Sequence, residues 1–151
     1  MTTNEALVKQ NFITKVLLKD GDVSLTKELK VKVMNMRIKL GKIRKEFDSD
    51  VQEAIKDLTP EGFIELANKP NRTEEEEKEF QEKNNKLNED YQAFVVERGK
   101  DIVDFEAKFT EDEYAQILEV NADNDIEING QKLSAPDFLE AIYSLFVEEE
   151  A

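Results

Sequence analysis

The chain has 151 residues, a net charge of −14, and neither Cys nor His. Those two absences exclude a disulfide framework, a thiol nucleophile, a thiolate zinc site, an imidazole base and a histidine metal ligand, which removes most hydrolase and metalloenzyme designs. Five Gly leave no glycine-rich phosphate cradle, and the acidic balance opposes docking to a phosphate backbone, so direct nucleic-acid binding is not expected.

The length fits one helical domain over residues 1–151, and regular apolar spacing argues against disorder despite 37% charged residues. No apolar run approaches a membrane span or a signal-peptide core, so a soluble intracellular protein is expected, with no membrane contact. The first predicted helix runs from Asn4 to about Leu18, with Thr2, Thr3 or Asn4 as its N-cap. Leu7, Val8, Phe12, Ile13, Val16 and Leu17 cover a wide arc, as in a helix buried on more than one side. A strand over Ile13–Leu18 is the competing reading. Asp20-Gly21-Asp22 then makes a turn.

The strongest signal is the stretch Ser24–Leu58. Leu25, Leu29, Val33, Met36, Leu40, Ile43, Phe47, Val51, Ala54 and Leu58 recur by threes and fours, which at about 100° per residue makes one stripe on a long helix. Ser24 is the expected N-cap, although Lys27 stands where a capping box would place Glu. Gly41 suggests close packing or a bend, and Asp48 to Asp50 a break. Val31, Met34 and Ile38 form a second ridge opposite the main stripe, flanked by Lys27, Lys30 and Arg37. Something has to cover that ridge. Phe12 and Val16 of the N-terminal helix are the first expectation, and another protein is the alternative. These six residues (Lys27, Lys30, Val31, Met34, Arg37 and Ile38) are the candidate partner-binding set.

Charge is unevenly placed along the chain. Residues 1–45 hold eleven Lys and Arg against four acids, and residues 46–151 ten against thirty-one. The simplest source is a basic helix packed beside an acidic one within the fold; the other is an interaction surface.

Thr59-Pro60-Glu61 reads as a helix restart with Thr59 as N-cap, followed by a short helix through Phe63, Ile64 and Leu66. After the loop Asn68–Arg72, Thr73 and Glu76 form a capping box for a second long helix, about 73–98. Its first turns carry an acidic cluster suited to the positive end of the helix dipole and read as a solvated face. Phe80, Leu87, Tyr91 and Phe94 continue the period until Gly99 ends it. Together the two long helices predict an antiparallel hairpin.

A C-terminal module follows at about 110–147. Thr110 and Glu113 make another capping box, for a short helix with Tyr114, Ile117 and Leu118 inward. Ile126 to Leu133 alternates around Asn129-Gly130, the residue pair of a type I′ β-hairpin turn. Ser134-Ala135-Pro136-Asp137 opens a last helix carrying Phe138, Leu139, Ile142, Leu145 and Phe146, and residues 148–151 are expected to fray. The fold class is therefore mainly α: a long-helix antiparallel hairpin, short helices and one small C-terminal β-hairpin.

No chemistry stands out. Asn121-Ala122-Asp123-Asn124-Asp125 is similar to the start of a calcium loop, but the sixth and twelfth positions hold Ile126 and Lys132, or Ile128 and Ser134 in the alternative frame. Gly and Glu are needed there for the sharp turn and the bidentate ligand. Carboxylate pairs such as Asp101 with Asp104 arise by chance in so acidic a chain and mark no shared cleft. Ser24 and Lys27 are better explained by capping than as a dyad. No cofactor, metal or small-molecule substrate is implied, and the expectation is a non-enzyme.

The order of features resembles a family of short proteins encoded among the structural and assembly genes of tailed bacteriophages. The resemblance rests on Asn4-Glu5-Ala6-Leu7-Val8, on Leu17-Leu18-Lys19-Asp20-Gly21 before a capped basic helix, and on Asp125–Ile128 followed by Ser134-Ala135-Pro136-Asp137-Phe138-Leu139. The longer connection from Thr59 to Asn71 and the Asn-Gly hairpin depart from it. It implies an accessory protein acting by protein–protein contact in head or tail assembly, in the bacterial cytoplasm or the virion, partnered by a structural subunit or by itself. It supplies no catalytic residues. The alternative function is an acidic inhibitor that mimics nucleic acid and blocks a host nucleic-acid-binding protein.

Overall fold

A computed structural model of the chain describes residues 1–18, 23–123, 125–128 and 131–147. The fold is mainly α, with helices α1 (Thr3–Phe12), α2 (Lys27–Leu58), α3 (Phe63–Asn68), α4 (Glu74–Gly99), α5 (Glu111–Asn121) and α6 (Ala135–Phe146), and strands β1 (Ile126–Ile128) and β2 (Gln131–Leu133). The chain divides into two compact units: residues 1–44 with 102–151, and residues 45–101. Helix α2 contributes to both.

In the first unit, Thr2 caps α1 through a capping box with Glu5: its hydroxyl accepts from the Glu5 N–H at 3.2 Å, and its own N–H donates to the Glu5 carboxylate at 2.8 Å. The competing strand over Ile13–Leu18 is not formed. Ile13–Leu17 instead wind as a π-helical turn continuing α1, which turns Ile13, Val16 and Leu17 together into the core. The α2 portion of this unit supplies Leu29, Val33, Met36 and Leu40, all nearly or fully enclosed. Opposite them lie the aromatic residues of α6. Phe138 stacks on Phe12 with ring centroids 6.3 Å apart, and Phe146 packs against Phe12 at 5.9 Å and Phe109 at 5.2 Å. The Lys9 stem is buried in this layer, and its ammonium donates to the Ala107 carbonyl at 2.9 Å.

Helix α2 begins two residues later than the sequence suggests. Thr26, not Ser24, caps it, accepting from the Leu29 N–H at 3.3 Å. Ser24 is held by another device. Its N–H donates to Asn121 Oδ1 at 2.9 Å, and Asn121 Nδ2 donates to the Ser24 carbonyl and to that of Ile117, each at 2.8 Å. The amide side chain thus imitates a strand edge and satisfies both backbone groups where the chain enters the helix. The break expected at Asp48–Asp50 is absent, because α2 is continuous through it. Gly41 has open space where a Cβ would stand, so close packing is not its purpose.

Strands β1 and β2 pair antiparallel with Ile126 opposite Leu133, as an intervening Asn-Gly requires. That turn itself, the turn at Asp20-Gly21-Asp22 and the tail 148–151 lie outside the described residues. Thr110 caps α5 with Glu113 completing the box, and Ser134 caps α6, both as anticipated. Leu118 is a correction: expected inward, it is 42% exposed.

In the second unit, residues 45–58 of α2 run antiparallel to α4. Arg98 binds Asp50 at 3.0 Å, while Lys83 donates to the Glu61 carbonyl at 2.6 Å, so one strand of the hairpin ascends as the other descends. Thr59 does not open α3. Its hydroxyl donates back to the Ile55 carbonyl and closes α2, and Gly62, in the left-handed region at φ +80°, precedes the short helix. Thr73 and Glu76 form the expected box on α4. The short helix is fixed by stacking of Phe63 on Phe80 at 5.4 Å and by the Arg72 guanidinium lying 4.2 Å over the Phe80 ring.

Candidate functional site

Two faces of α2 within the first unit carry apolar side chains, and the fold encloses only one. At about 100° per residue, Val31, Met34 and Ile38 lie roughly opposite Leu29, Val33, Met36 and Leu40. The structure leaves this second ridge uncovered, with Val31 56%, Met34 42% and Ile38 55% exposed. The cover expected from Phe12 and Val16 does not form. Phe12 stacks on the α6 aromatics and Val16 is sealed in the core, because the π-helical turn directs the end of α1 there.

The cations around the ridge fall into two groups. Lys32 and Lys39, on the flank nearer the core, are engaged within the chain: Lys32 with the Glu113 carboxylate at 2.5 Å, and Lys39 at 5.0 Å over the Phe105 ring. Lys27, Lys30 and Arg37 are exposed beside the ridge, and among the described residues none forms an ion pair with an acidic side chain. All six sequence candidates therefore lie on three turns of one helix face, presented together. One ion pair joins α2 to α5, at Lys32–Glu113. Burial works to raise the Glu113 carboxyl, but the Lys32 ammonium and the Thr110 N–H outweigh it and hold the group below the ordinary carboxylate range.

A shallow groove of about 410 Å³ adjoins the ridge, bounded by Val31, Lys32, Met36 and Lys39 on α2 and by Phe105, Glu106 and Lys108. Its walls mix apolar side chains, lysine stems and one aromatic ring with the polar groups of Glu28, Asn35 and Glu106. Asn121, first residue of the run similar to a calcium loop, is turned inward onto Ser24 and Ile117.

A second apolar groove, of about 450 Å³, was missed by the sequence reading. It opens between α5 and α6, lined by Tyr114, Leu118 and Ala122 on one side and Pro136, Leu139 and Tyr143 on the other. Tyr114 and Tyr143 meet edge to face at 5.3 Å, and the Tyr114 hydroxyl donates to the Leu139 carbonyl at 3.3 Å. Burial pushes the Tyr114 hydroxyl above its ordinary pKa, and Tyr143, Glu111 and Glu140 push it further. The groove thus has an apolar floor and a negative rim. A signal was present: Tyr114, Leu118 and Ala122 recur at four-residue spacing, offset from the Ile117–Asn121 line that faces the core.

The sequence matches no protein-family model, and neither a curated protein nor a solved structure is similar to it. Among the described residues no helix is long and apolar enough to cross a membrane.

Proposed function

We propose that this protein is a non-enzymatic component that acts by protein–protein contact, docking through the Val31–Met34–Ile38 ridge of α2. The observation that carries the reading is the exposure of three large apolar side chains on consecutive turns, on the face of α2 turned away from its core. Isolated exposed apolar residues are ordinary on protein surfaces, but a contiguous row on a helix is the anchor pattern by which amphipathic helices and grooves engage. Lys27, Lys30 and Arg37 beside it favour an acidic partner and disfavour a basic one.

The setting we infer is the assembly of a tailed bacteriophage, in the host cytoplasm or within the particle. The support for it is the resemblance of the N-terminal segment and the C-terminal module to small proteins of phage assembly gene clusters. A photo-crosslinking residue at Ile38 tests the contact. It is expected to give one discrete adduct in cells producing the protein, while the same residue at exposed Gln52, outside the ridge, gives none. Equal, diffuse labelling from both positions would remove the docking face. Mass spectrometry of purified particles tests the setting, which fails if the protein is absent both from them and from their assembly intermediates.

A further inference from the structure

We infer that the occupant of the α2 ridge is the α5–α6 groove of a second copy of this chain, so that the protein self-associates head to tail. The inference rests on the reading of the ridge as a docking face and names its partner. Two unpartnered apolar surfaces lie in the same unit and share no residue: a cationic ridge on α2 and an acid-rimmed groove between α5 and α6. Their charges are complementary. Lys27, Lys30 and Arg37 flank the ridge, and the exposed Glu140 lines the groove beside Tyr143.

Their dimensions agree as well. Val31 to Ile38 spans about 10 Å of helix and Tyr114 to Ala122 about 12 Å, at the usual helical rise. The groove leaves Leu118 42% and Tyr143 38% exposed, apolar surface that a methyl-bearing ridge would cover. A ridge meeting another copy of itself would instead set cation against cation, which disfavours a symmetric α2–α2 dimer. Because the two surfaces differ, the contact is heterologous and propagates: copies add until a ring closes, or continue as a filament.

Complementary variants test this on the full chain. A ridge variant, Met34→Glu with Ile38→Glu, keeps its groove, and a groove variant, Leu118→Lys with Tyr143→Lys, keeps its ridge. All four positions are exposed, and circular dichroism checks that each variant folds. In sedimentation velocity the unsubstituted chain is expected to grow in mass with concentration, and to do so at least tenfold less readily when ionic strength is raised several-fold. Each variant alone is expected to remain monomeric. An equimolar mixture is expected to form dimers and stop there, since only one intact ridge and one intact groove remain. The milder rim variant Glu140→Lys is expected to weaken association about tenfold.

An unsubstituted chain that stays monomeric, or a mixture that fails to pair, overturns the inference. If Ile38 still crosslinks to a different protein in that case, the docking face stands and only its partner is wrong. Self-association that survives the ridge variant while Ile38 gives no adduct overturns both.

Discussion

The two units are built on one helix yet bury their apolar residues to different degrees. In the first, the stripe of α2 is closed over by α1, the π-helical turn, α5 and α6, and Leu40, Ile117, Phe138 and Ile142 are fully enclosed. In the second, the same stripe continues through Phe47, Ala54 and Leu58, but these stay half-exposed, and only Val51 and Gly99 are buried. Periodicity therefore specifies a helix in both places, whereas enclosure requires a further layer that residues 45–101 do not provide. The hairpin relies instead on ring stacking, a guanidinium over Phe80 and partly exposed ion pairs, contacts worth roughly 0.5–1 kcal/mol each.

The sharpest way to break this comparison is to empty both sites of aromatic packing. Phe138→Ala in the first unit is expected to cost about 3–5 kcal/mol in urea denaturation. Phe80→Ala in the second is expected to cost less than half of that, because its ring is only partly buried. Equal losses would mean that the hairpin is as well packed as the core. A smaller effect is expected from Asn121→Ala, about 2 kcal/mol, since it leaves the Ser24 N–H and two carbonyls without their side-chain partner. Asn121→Asp, which keeps the acceptor but neither donor, is expected to rescue little. Rescue to the original stability would show that one bond, to the Ser24 N–H, carries the tether.

The smallest expected effect is electrostatic. Glu113 is held below the ordinary carboxylate range in the folded chain, so its contribution is complete above the unfolded value and is lost as pH falls through the folded one. Glu113→Gln is expected to cost about 1 kcal/mol near neutral pH, the two chains converging in acid. A constant difference across that range would place the effect of Glu113 in packing rather than in its charge.

Much of this architecture was legible because it depends on local chemistry. The Thr73–Glu76 and Thr110–Glu113 boxes, the Ser134 cap and the pairing around Asn-Gly each follow from a few adjacent residues, and each formed as read. The misreadings needed partners remote in sequence. Ser24 looks like a cap because nothing nearby announces Asn121, ninety-seven residues away. Thr59 looked like an N-cap from its Thr-Pro-Glu context, yet its hydroxyl serves the preceding helix. The candidate ridge was visible as a second line of apolar residues on α2. What covers it depended on the path of α1, and the π-helical turn that sets this path has no sequence signature we could read. The α5–α6 groove was hidden for a related reason: whether Leu118 faces inward depends on which side of α5 receives α6.

The Ser24–Asn121 tether has a consequence for how the polypeptide matures. Both ends of the larger unit are needed to complete it, and residues 45–101 emerge from the ribosome between them. The leading 44 residues must therefore wait, with Leu29, Val33 and Leu40 unsheltered, until the trailing segment is made. The hairpin eases the joining that follows. By bringing Asp50 to within 3.0 Å of Arg98 it draws the two flanks together, reducing the entropy lost in joining segments so far apart. The middle of the chain, weakest in burial, thus acts as a clasp, and slowing its formation would lengthen the period in which the nascent protein is open to aggregation.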